Sequence, residues 1–96
     1  MSVNYNRIKS LQKENGVSDI QERINDGSAW KLEGSFGREA MAALRSGACM
    51  LPKKVYYDAY NNRVPSRDEV KSGTVGSYQN SVEFWNKVEN GQIHFD

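Results

Sequence analysis

The chain has 96 residues, of which 38% are hydrophobic and 26% are charged, and its net charge is +1. This length and composition fit one small folded domain and exclude a disordered or strongly basic chain. No apolar run approaches the ~18–20 residues that cross a bilayer, the start of the chain lacks a secretory signal, and a lone Cys49 cannot form an internal disulfide. We therefore expect a soluble cytoplasmic protein that has no membrane partner.

Five dipeptides, each a small polar residue followed by glycine, divide the chain into short elements. Glycine adopts a left-handed conformation without a steric penalty at Cβ, so it commonly ends a helix. The five dipeptides are Asn15-Gly16, Asp26-Gly27, Ser46-Gly47, Ser72-Gly73 and Asn90-Gly91. We predict that an element of secondary structure ends at each of these glycines.

The first two elements are predicted to be helices. Asn4 can cap the first helix, in which Ile8 and Leu11 lie three residues apart on one face. The second helix begins with the capping box of residues 18–21 and is only about two turns long. After it, residues 28–33 are predicted to form an extended link, because polar and apolar side chains alternate there.

A third helix is predicted to follow, with Ser35 as its N-cap and Gly47 as its end, because residues 39–45 are rich in helix-forming alanine, leucine and methionine. The next residues, 48–51, form a short apolar run. Pro52 closes this run and has no backbone N–H to donate, so the run suits an edge strand or the end of a strand.

A β-hairpin is predicted over residues 55–64. It contains Asn61-Asn62, and asparagine tolerates the positive φ that a two-residue hairpin turn requires. Alternation along the first strand places Tyr56 and Tyr57 on opposite faces, so at least one of these rings should belong to the core. The capping box of residues 66–69 then predicts a single helical turn.

The last helix is predicted to supply much of the core. Ser77 can cap it, and Val82, Trp85 and Val88 recur every three or four residues along it. Together these elements predict an α+β fold, in which three or four short helices pack around a small antiparallel hairpin or sheet. We expect all 96 residues to form one small globular domain.

Four segments in the middle half of the chain resemble a family of small uncharacterised bacteriophage proteins. The segments are Leu32-Glu33-Gly34-Ser35-Phe36-Gly37-Arg38, Gly47-Ala48-Cys49-Met50-Leu51, Tyr60-Asn61-Asn62-Arg63-Val64-Pro65-Ser66-Arg67 and Val70-Lys71-Ser72-Gly73-Thr74-Val75-Gly76-Ser77. The chain departs from the family pattern at the hairpin tip, where the family has a glycine beside the asparagine. The resemblance implies a phage or prophage origin and assigns no activity and no site.

The predicted start of the third helix is the first candidate binding site. It carries glycines, a hydroxyl and a guanidinium where free backbone N–H groups can hold a phosphate or a carboxylate. Its candidate ligand residues are Ser35, Gly37 and Arg38. The segment lacks the lysine and the spacing of a P-loop, so a tight turn with a helix cap, and with Phe36 packed into the core, is the alternative interpretation.

The predicted hairpin region is the second candidate, because basic and aromatic side chains are interleaved along it. The candidate interaction residues are Lys53, Lys54, Tyr57, Tyr60, Arg63 and Arg67. Exposed aromatic rings stack on bases while lysine and arginine neutralise phosphates, which is the chemistry of single-strand binding. Tyrosine and arginine are also common anchors of protein interfaces, and packing of these side chains within the domain is a third interpretation.

The sequence contains no legible catalytic or metal-binding pattern. His94 is the only histidine and Cys49 lies in an apolar run, so neither is expected to act as a nucleophile, a base or a metal ligand. We therefore predict a non-enzymatic intracellular binding protein without a cofactor, of phage or prophage origin, that acts on a host protein. The alternative is a binder of nucleic acid or of a small phosphorylated ligand, through residues 34–38 and 53–67.

Overall fold

The computed structural model describes residues 2–31 and 35–94, with the backbone alone for Ser35 and Phe36. Within these residues the chain forms four α-helices, one 3₁₀ helix and a two-stranded antiparallel sheet, which is the predicted α+β architecture. In chain order the elements are α1 (Tyr5–Glu14), α2 (Ser18–Asp26), the 3₁₀ helix (Ser28–Trp30), α3 (Ser35–Ser46), β1 (Tyr56–Tyr57), β2 (Arg63–Val64) and α4 (Tyr78–Glu89). Helix α1 packs against α2 and α4, and α3 packs against α2.

Four of the five predicted ends are confirmed, because the helices α1, α2, α3 and α4 end at or next to Gly16, Gly27, Gly47 and Gly91, whereas no helix or strand ends at Gly73. All five glycines have positive φ. The φ values are 75° at Gly16, 85° at Gly27, 97° at Gly47, 90° at Gly73 and 74° at Gly91. Two of these glycines also touch packed side chains. A Cβ would lie 2.5 Å from the Tyr56 ring at Gly27 and 2.8 Å from Phe84 Cβ at Gly47. A side chain at either position would therefore strain the backbone and displace packed atoms.

Helices α1 and α4 begin at the predicted caps. The Asn4 side chain accepts a hydrogen bond from the Arg7 N–H at 2.8 Å. Ser77 Oγ accepts from the Asn80 N–H at 3.1 Å and from the Gly73 N–H at 3.0 Å, so it also fixes the turn that precedes α4. Both caps satisfy N–H groups that the start of a helix otherwise leaves unpaired.

The capping box predicted for α2 is wrong. Ser18 is the first residue of the helix itself, and the N-cap is Val17, whose side chain cannot accept a hydrogen bond. The glutamine that would complete the box, Gln21, is buried, and its amide is bonded to the backbone of Met50. Burial of this amide therefore overrides the local preference for a capping box.

A 3₁₀ helix follows α2 in place of the predicted extended link. Asp26 Oδ1 accepts a hydrogen bond from the Ser28 N–H at 2.8 Å, which is an Asx turn. The Trp30 N–H then donates to the Gly27 carbonyl at 3.2 Å and closes the turn. The remainder of the predicted link, residues 32–33, lies outside the described residues.

The apolar run predicted as an edge strand or strand end is a buried irregular segment. Residues 48–52, which we call the central segment, are buried and have no neighbouring strand among the described residues. Two of its backbone bonds are long-range, since the Leu51 N–H donates to the Gly76 carbonyl at 2.9 Å and the Pro52 carbonyl accepts from the Arg67 N–H at 2.8 Å. Most of its other backbone groups are paired with side chains.

Side chains from three helices take the place of a neighbouring strand along the central segment. Gln12 of α1 donates to the Ala48 carbonyl at 2.9 Å, and Trp85 of α4 donates to the same oxygen at 3.1 Å. Gln21 of α2 accepts from the Met50 N–H and donates to the Met50 carbonyl, both at 2.9 Å. Because buried backbone groups must be paired, these side chains determine the path of the segment.

The second predicted capping box, residues 66–69, forms a turn and no regular helix. The Glu69 N–H donates to the Ser66 carbonyl at 3.1 Å, which closes the turn. The Glu69 carboxylate forms an ion pair with Arg63 at 2.7 Å, and a hydrogen bond from the Ser66 backbone also lowers the pKa of Glu69. The carboxylate therefore joins this turn to β2.

Helix α4 supplies the core as predicted. Val82 and Trp85 are buried and Val88 is partly buried against the core. Phe84, which the helical spacing does not single out, is buried too, and its ring meets that of Trp85 edge to face with the centroids 4.9 Å apart. The tryptophan is therefore fixed by packing and by its hydrogen bond to the central segment.

Candidate functional site

Strands β1 and β2 form a short ribbon with one buried and one exposed face. Tyr56 lies opposite Val64, and Tyr57 lies opposite Arg63. Val64 is buried, and Tyr56 is partly buried with its hydroxyl donating to the Asn25 carbonyl at 3.0 Å. Tyr57 and Arg63 are exposed on the other face. The prediction that one of the two neighbouring tyrosines belongs to the core is confirmed.

The connection between the strands is residues 58–62, which we call the ribbon loop, and the predicted two-residue turn is wrong. Asp58 Oδ1 accepts hydrogen bonds from the backbone N–H groups of Tyr60 at 2.9 Å and Asn62 at 2.8 Å. The hydrogen bond from Asn62 lowers the pKa of the Asp58 carboxyl most, and the bond from Tyr60 lowers it further. Asn61 has a φ of 64°, so one asparagine adopts the predicted positive φ. The Asn61 N–H also donates to the Asp58 carbonyl at 2.9 Å, so a four-residue turn and the carboxylate together close the loop.

The ribbon and the residues that lead into it carry two exposed tyrosines and three exposed cations. Tyr60 is 82% exposed and Tyr57 is 54% exposed. Lys53 and Lys54 are exposed immediately before β1, and Arg63 is exposed on β2. We call these five residues the ribbon surface. Five of the six residues predicted for the hairpin region are therefore exposed; Tyr57 and Arg63 pair across the ribbon, and the ammonium group of Lys53 lies 5.6 Å from the centre of the Tyr5 ring of α1.

Arg67, the sixth of those residues, is buried and does not belong to this surface. It is 7% exposed. Its Nε donates to the Leu51 carbonyl at 2.6 Å and its Nη2 donates to Asn25 Oδ1 at 3.0 Å. Arg67 therefore supports the central segment from within, where a guanidinium satisfies several acceptors at once.

Sequence reasoning missed two acidic residues that organise the ribbon surface. Asp58 was detectable, because an aspartate at the start of a loop commonly bonds the backbone two residues on. Glu69 pairs with Arg63, and this hydrogen bond raises the pKa of Arg63 and lowers the pKa of Glu69. The two residues lie on different elements, so the sequence gives no local sign of this pair.

The described residues add no support for the predicted anion site at the start of α3. The helix begins at Ser35, so this residue is not the flanking N-cap, and Gly34 lies outside the described residues. Gly37 is half-buried and Arg38 is exposed in the first turn. The side chains of Ser35 and Phe36, including the predicted core contact of Phe36, lie outside the described residues.

The side chains able to bind metals or act as nucleophiles are dispersed. Cys49 is buried in the central segment, and burial raises the pKa of its thiol to about 12. His94 is exposed near the end of the chain. Residues 2–31 and 35–94 contain no group of three or more histidine, cysteine, aspartate or glutamate side chains that could hold a metal ion.

Comparison with known proteins finds no matching family model, no similar curated protein and no similar solved structure. In the described part of the chain, every helix is too short or too polar to cross a membrane. Any inference about function therefore rests on the geometry of the described residues.

Proposed function

We propose that this chain is a non-enzymatic protein that binds a protein partner through the ribbon surface. The supporting observation is that Tyr60 is 82% exposed on a loop that Asp58 already holds in shape. A loop that is ordered before binding loses less conformational entropy on association. Tyrosine is among the residues that contribute most to protein interfaces, because its ring is large and its hydroxyl can still hydrogen-bond.

The charges of the ribbon surface favour a partner with an acidic patch. Lys53 and Lys54 are exposed in the residues that lead into β1 and form no ion pair with any described carboxylate. Complementary charge speeds the encounter of two proteins and fixes their orientation. The expected partner surface therefore has a pocket for the Tyr60 ring and carboxylates around it.

Nucleic acid is the less favoured partner for the same surface. Arg67 is buried and Arg63 is already paired with Glu69, so two of the predicted phosphate contacts are used within the protein. Two unpaired lysines provide little of the counterion release that drives non-specific binding to nucleic acid. The exposed tyrosines fit a protein pocket as well as they fit a base.

The origin and the location of the protein are also part of the proposal. A phage or prophage origin rests on the resemblance of residues 32–38, 47–51, 60–67 and 70–77 alone. It implies a host protein in the bacterial cytoplasm as the partner.

A pull-down from bacterial lysate tests the proposal. The tagged parent protein should retrieve a stoichiometric protein partner, and Tyr60→Ala should reduce its retention at least tenfold, as expected for an interface anchor. Tyr78→Ala is the matched control, because Tyr78 is a 37% exposed tyrosine on α4, outside the ribbon surface. The proposal fails if nucleic acid alone co-purifies, or if both variants retain the partner equally.

A further inference from the structure

Two asparagines of this chain are followed by glycine where a helix ends, in Asn15-Gly16 after α1 and in Asn90-Gly91 after α4. A glycine after asparagine leaves the next backbone nitrogen unhindered, because it has no side chain. That nitrogen can attack Cγ of the asparagine side chain and form a five-membered succinimide ring. The two dipeptides are therefore candidate sites for the loss of a side-chain amide.

The backbone is nearly the same at the two sites. Asn15 has φ −105° and ψ 9°, Asn90 has φ −83° and ψ 2°, and the glycines that follow have φ 75° and 74°. The glycine N–H groups donate to the carbonyls three residues back, of Lys13 at 3.3 Å and of Val88 at 3.1 Å. Any difference in reactivity between the two asparagines must therefore come from their side chains and surroundings.

The Asn15 side chain is held in place. Its Nδ2 donates to the Leu11 carbonyl at 2.8 Å, and the residue is half-buried. Val17, which follows Gly16, is only 7% exposed, and its N–H donates to the Gln12 carbonyl at 2.9 Å. Attack on Asn15 therefore requires that a side-chain hydrogen bond break and that the junction between the packed helices α1 and α2 open.

The Asn90 side chain is not held in this way. Asn90 and Gly91 are exposed, and the Asn90 side chain forms no hydrogen bond with residues 2–31 or 35–94. The N–H groups of Gln92 and Ile93 donate to the Lys87 carbonyl at 2.8 and 3.3 Å, within the last turn of the same helix. Ile93 is partly buried, and Gln92 is exposed. Opening this turn breaks mainly local bonds, and the ends of helices open most readily.

An aspartate followed by glycine can form the same ring with loss of water, but the fold protects Asp26-Gly27. A Cβ at Gly27 would lie 2.5 Å from the Tyr56 ring, so this glycine is tightly packed. Asp26 Oδ1 accepts a hydrogen bond from the Ser28 N–H at 2.8 Å, and bonding to Ser28 lowers the pKa of Asp26. The carboxyl therefore stays ionised, and a carboxylate resists attack by a nucleophile.

We propose that Asn90 is a site of spontaneous deamidation in the folded protein and that the fold protects Asn15. The Gly91 nitrogen forms a bond to Asn90 Cγ, the bond from Cγ to Nδ2 breaks, and ammonia leaves with the proton of the Gly91 N–H. Water then opens the succinimide at one of its two carbonyl carbons. The products are aspartate and isoaspartate, in which the main chain runs through the former side chain. The site lies outside the ribbon surface and does not depend on the function proposed for it.

Deamidation would change the charge at the end of α4. The new carboxylate cancels the formal net charge of +1, and a protein without net charge associates more readily. It also follows Glu89, which already accepts a hydrogen bond from Arg7 Nε at 3.0 Å. A negative charge at the C-terminal end of a helix opposes the helix dipole. The modified protein should therefore be more acidic and slightly less stable than the parent.

Incubation of the intact protein in mildly alkaline buffer, followed by peptide mapping with mass spectrometry, tests the proposal. In the native protein, Asn90 should convert to aspartate and isoaspartate at least about fivefold faster than Asn15, because a hydrogen bond must first break at Asn15. The urea-denatured chain is the control, and its two rates should agree within about twofold, because both dipeptides are then exposed. Ion exchange should also resolve an acidic form of the parent. This form should be lost in Asn90→Gln, whose longer side chain cannot close a five-membered ring, and should persist in Asn15→Gln.

Three results would each overturn the proposal. The first is equal conversion of the two asparagines in the native protein, or faster conversion of Asn15. The second is an unchanged Asn90 in the native protein under conditions that convert it in the denatured chain. The third is an acidic form that persists in Asn90→Gln, because the charge would then arise elsewhere in the chain.

Discussion

The central segment and the ribbon loop are both irregular, yet they satisfy their backbone groups in opposite ways. The central segment, residues 48–52, is buried and bonds side chains that come from α1, α2 and α4. The ribbon loop, residues 58–62, is largely exposed and bonds the carboxylate of its own first residue, Asp58. The ribbon loop also forms backbone bonds of its own and one bond to the rest of the fold, from the Ala59 N–H to the Trp30 carbonyl at 3.1 Å. The central segment therefore depends on side chains from three helices, whereas the ribbon loop depends mainly on its own residues.

This difference indicates that a change in the central segment affects the whole fold, whereas a change in the ribbon loop has a local effect. Removing a partner of the central segment leaves a buried polar group unpaired and uncouples helices from one another. Removing the partner of the ribbon loop exposes its N–H groups to water, which replaces the lost bond. Perturbations of the two regions should therefore differ in size.

The largest effect is expected from Trp85→Ala. Trp85 is fully buried and also donates to the Ala48 carbonyl, so the variant loses packing and a partner of the central segment. The expected cost is about 3–5 kcal/mol, close to the whole stability of a small domain. Circular dichroism should show no cooperative thermal transition. A variant that melts within a few degrees of the parent would contradict this placement of the tryptophan.

Gln21→Leu should have the next largest effect. Leucine has a similar volume but leaves the N–H and carbonyl of Met50 unpaired in the core, which should lower the free energy of unfolding by about 3 kcal/mol. The control is Gln79→Leu, because Gln79 is exposed on α4 and its replacement should change stability by no more than about 0.5 kcal/mol. Urea unfolding measures both. Equal effects would mean that the central segment does not depend on side-chain partners.

The reactivity of the Cys49 thiol measures, without a mutation, how easily the central segment opens. Its thiol is buried and has a pKa of about 12, so little thiolate is present in the folded protein. At pH 8 its reaction with a disulfide reagent should be at least ~100-fold slower in the native protein than in the denatured chain. Rapid stoichiometric labelling of the native protein would show that the segment opens easily.

The smallest effect is expected at the ribbon loop, from Asp58→Asn. The pKa of Asp58 is lower in the folded than in the unfolded chain, so its carboxylate stabilises the fold above pH ~4 and stops doing so as the pH falls through the folded value. The parent should melt slightly above the variant at neutral pH, and this difference should vanish in acid. Melting curves from neutral to acidic pH measure it. A difference that does not change with pH would exclude a role for the charge.

Much of the architecture was predictable because it depends on neighbours in the sequence. Asn4 and Ser77 cap helices by bonding residues three positions ahead, and alternation alone separates the faces of Tyr56 and Tyr57. The positive φ of Asn61 follows from its predicted place in the hairpin turn.

The errors in prediction arose at side chains whose hydrogen-bond partners lie far away in the sequence. Arg67 was assigned to an exposed basic surface, but it bonds Asn25, 42 residues away, and Leu51, 16 residues away. Gln21 was assigned to a capping box, but it bonds Met50, 29 residues away. Local patterns carry no information about such partners, so the path of the central segment was not predictable.

The two irregular regions also differ in how they tolerate a change in chain length. In the central segment, most backbone groups bond side chains that are anchored on helices. Inserting or deleting one residue would therefore move every later backbone group away from its hydrogen-bond partner. The ribbon loop ends at the paired residues Tyr57 and Arg63, and lengthening an exposed loop has only a small entropic cost. Foreign peptides can therefore be grafted after Asn61, whereas the stretch from Ala48 to Pro52 has a fixed length.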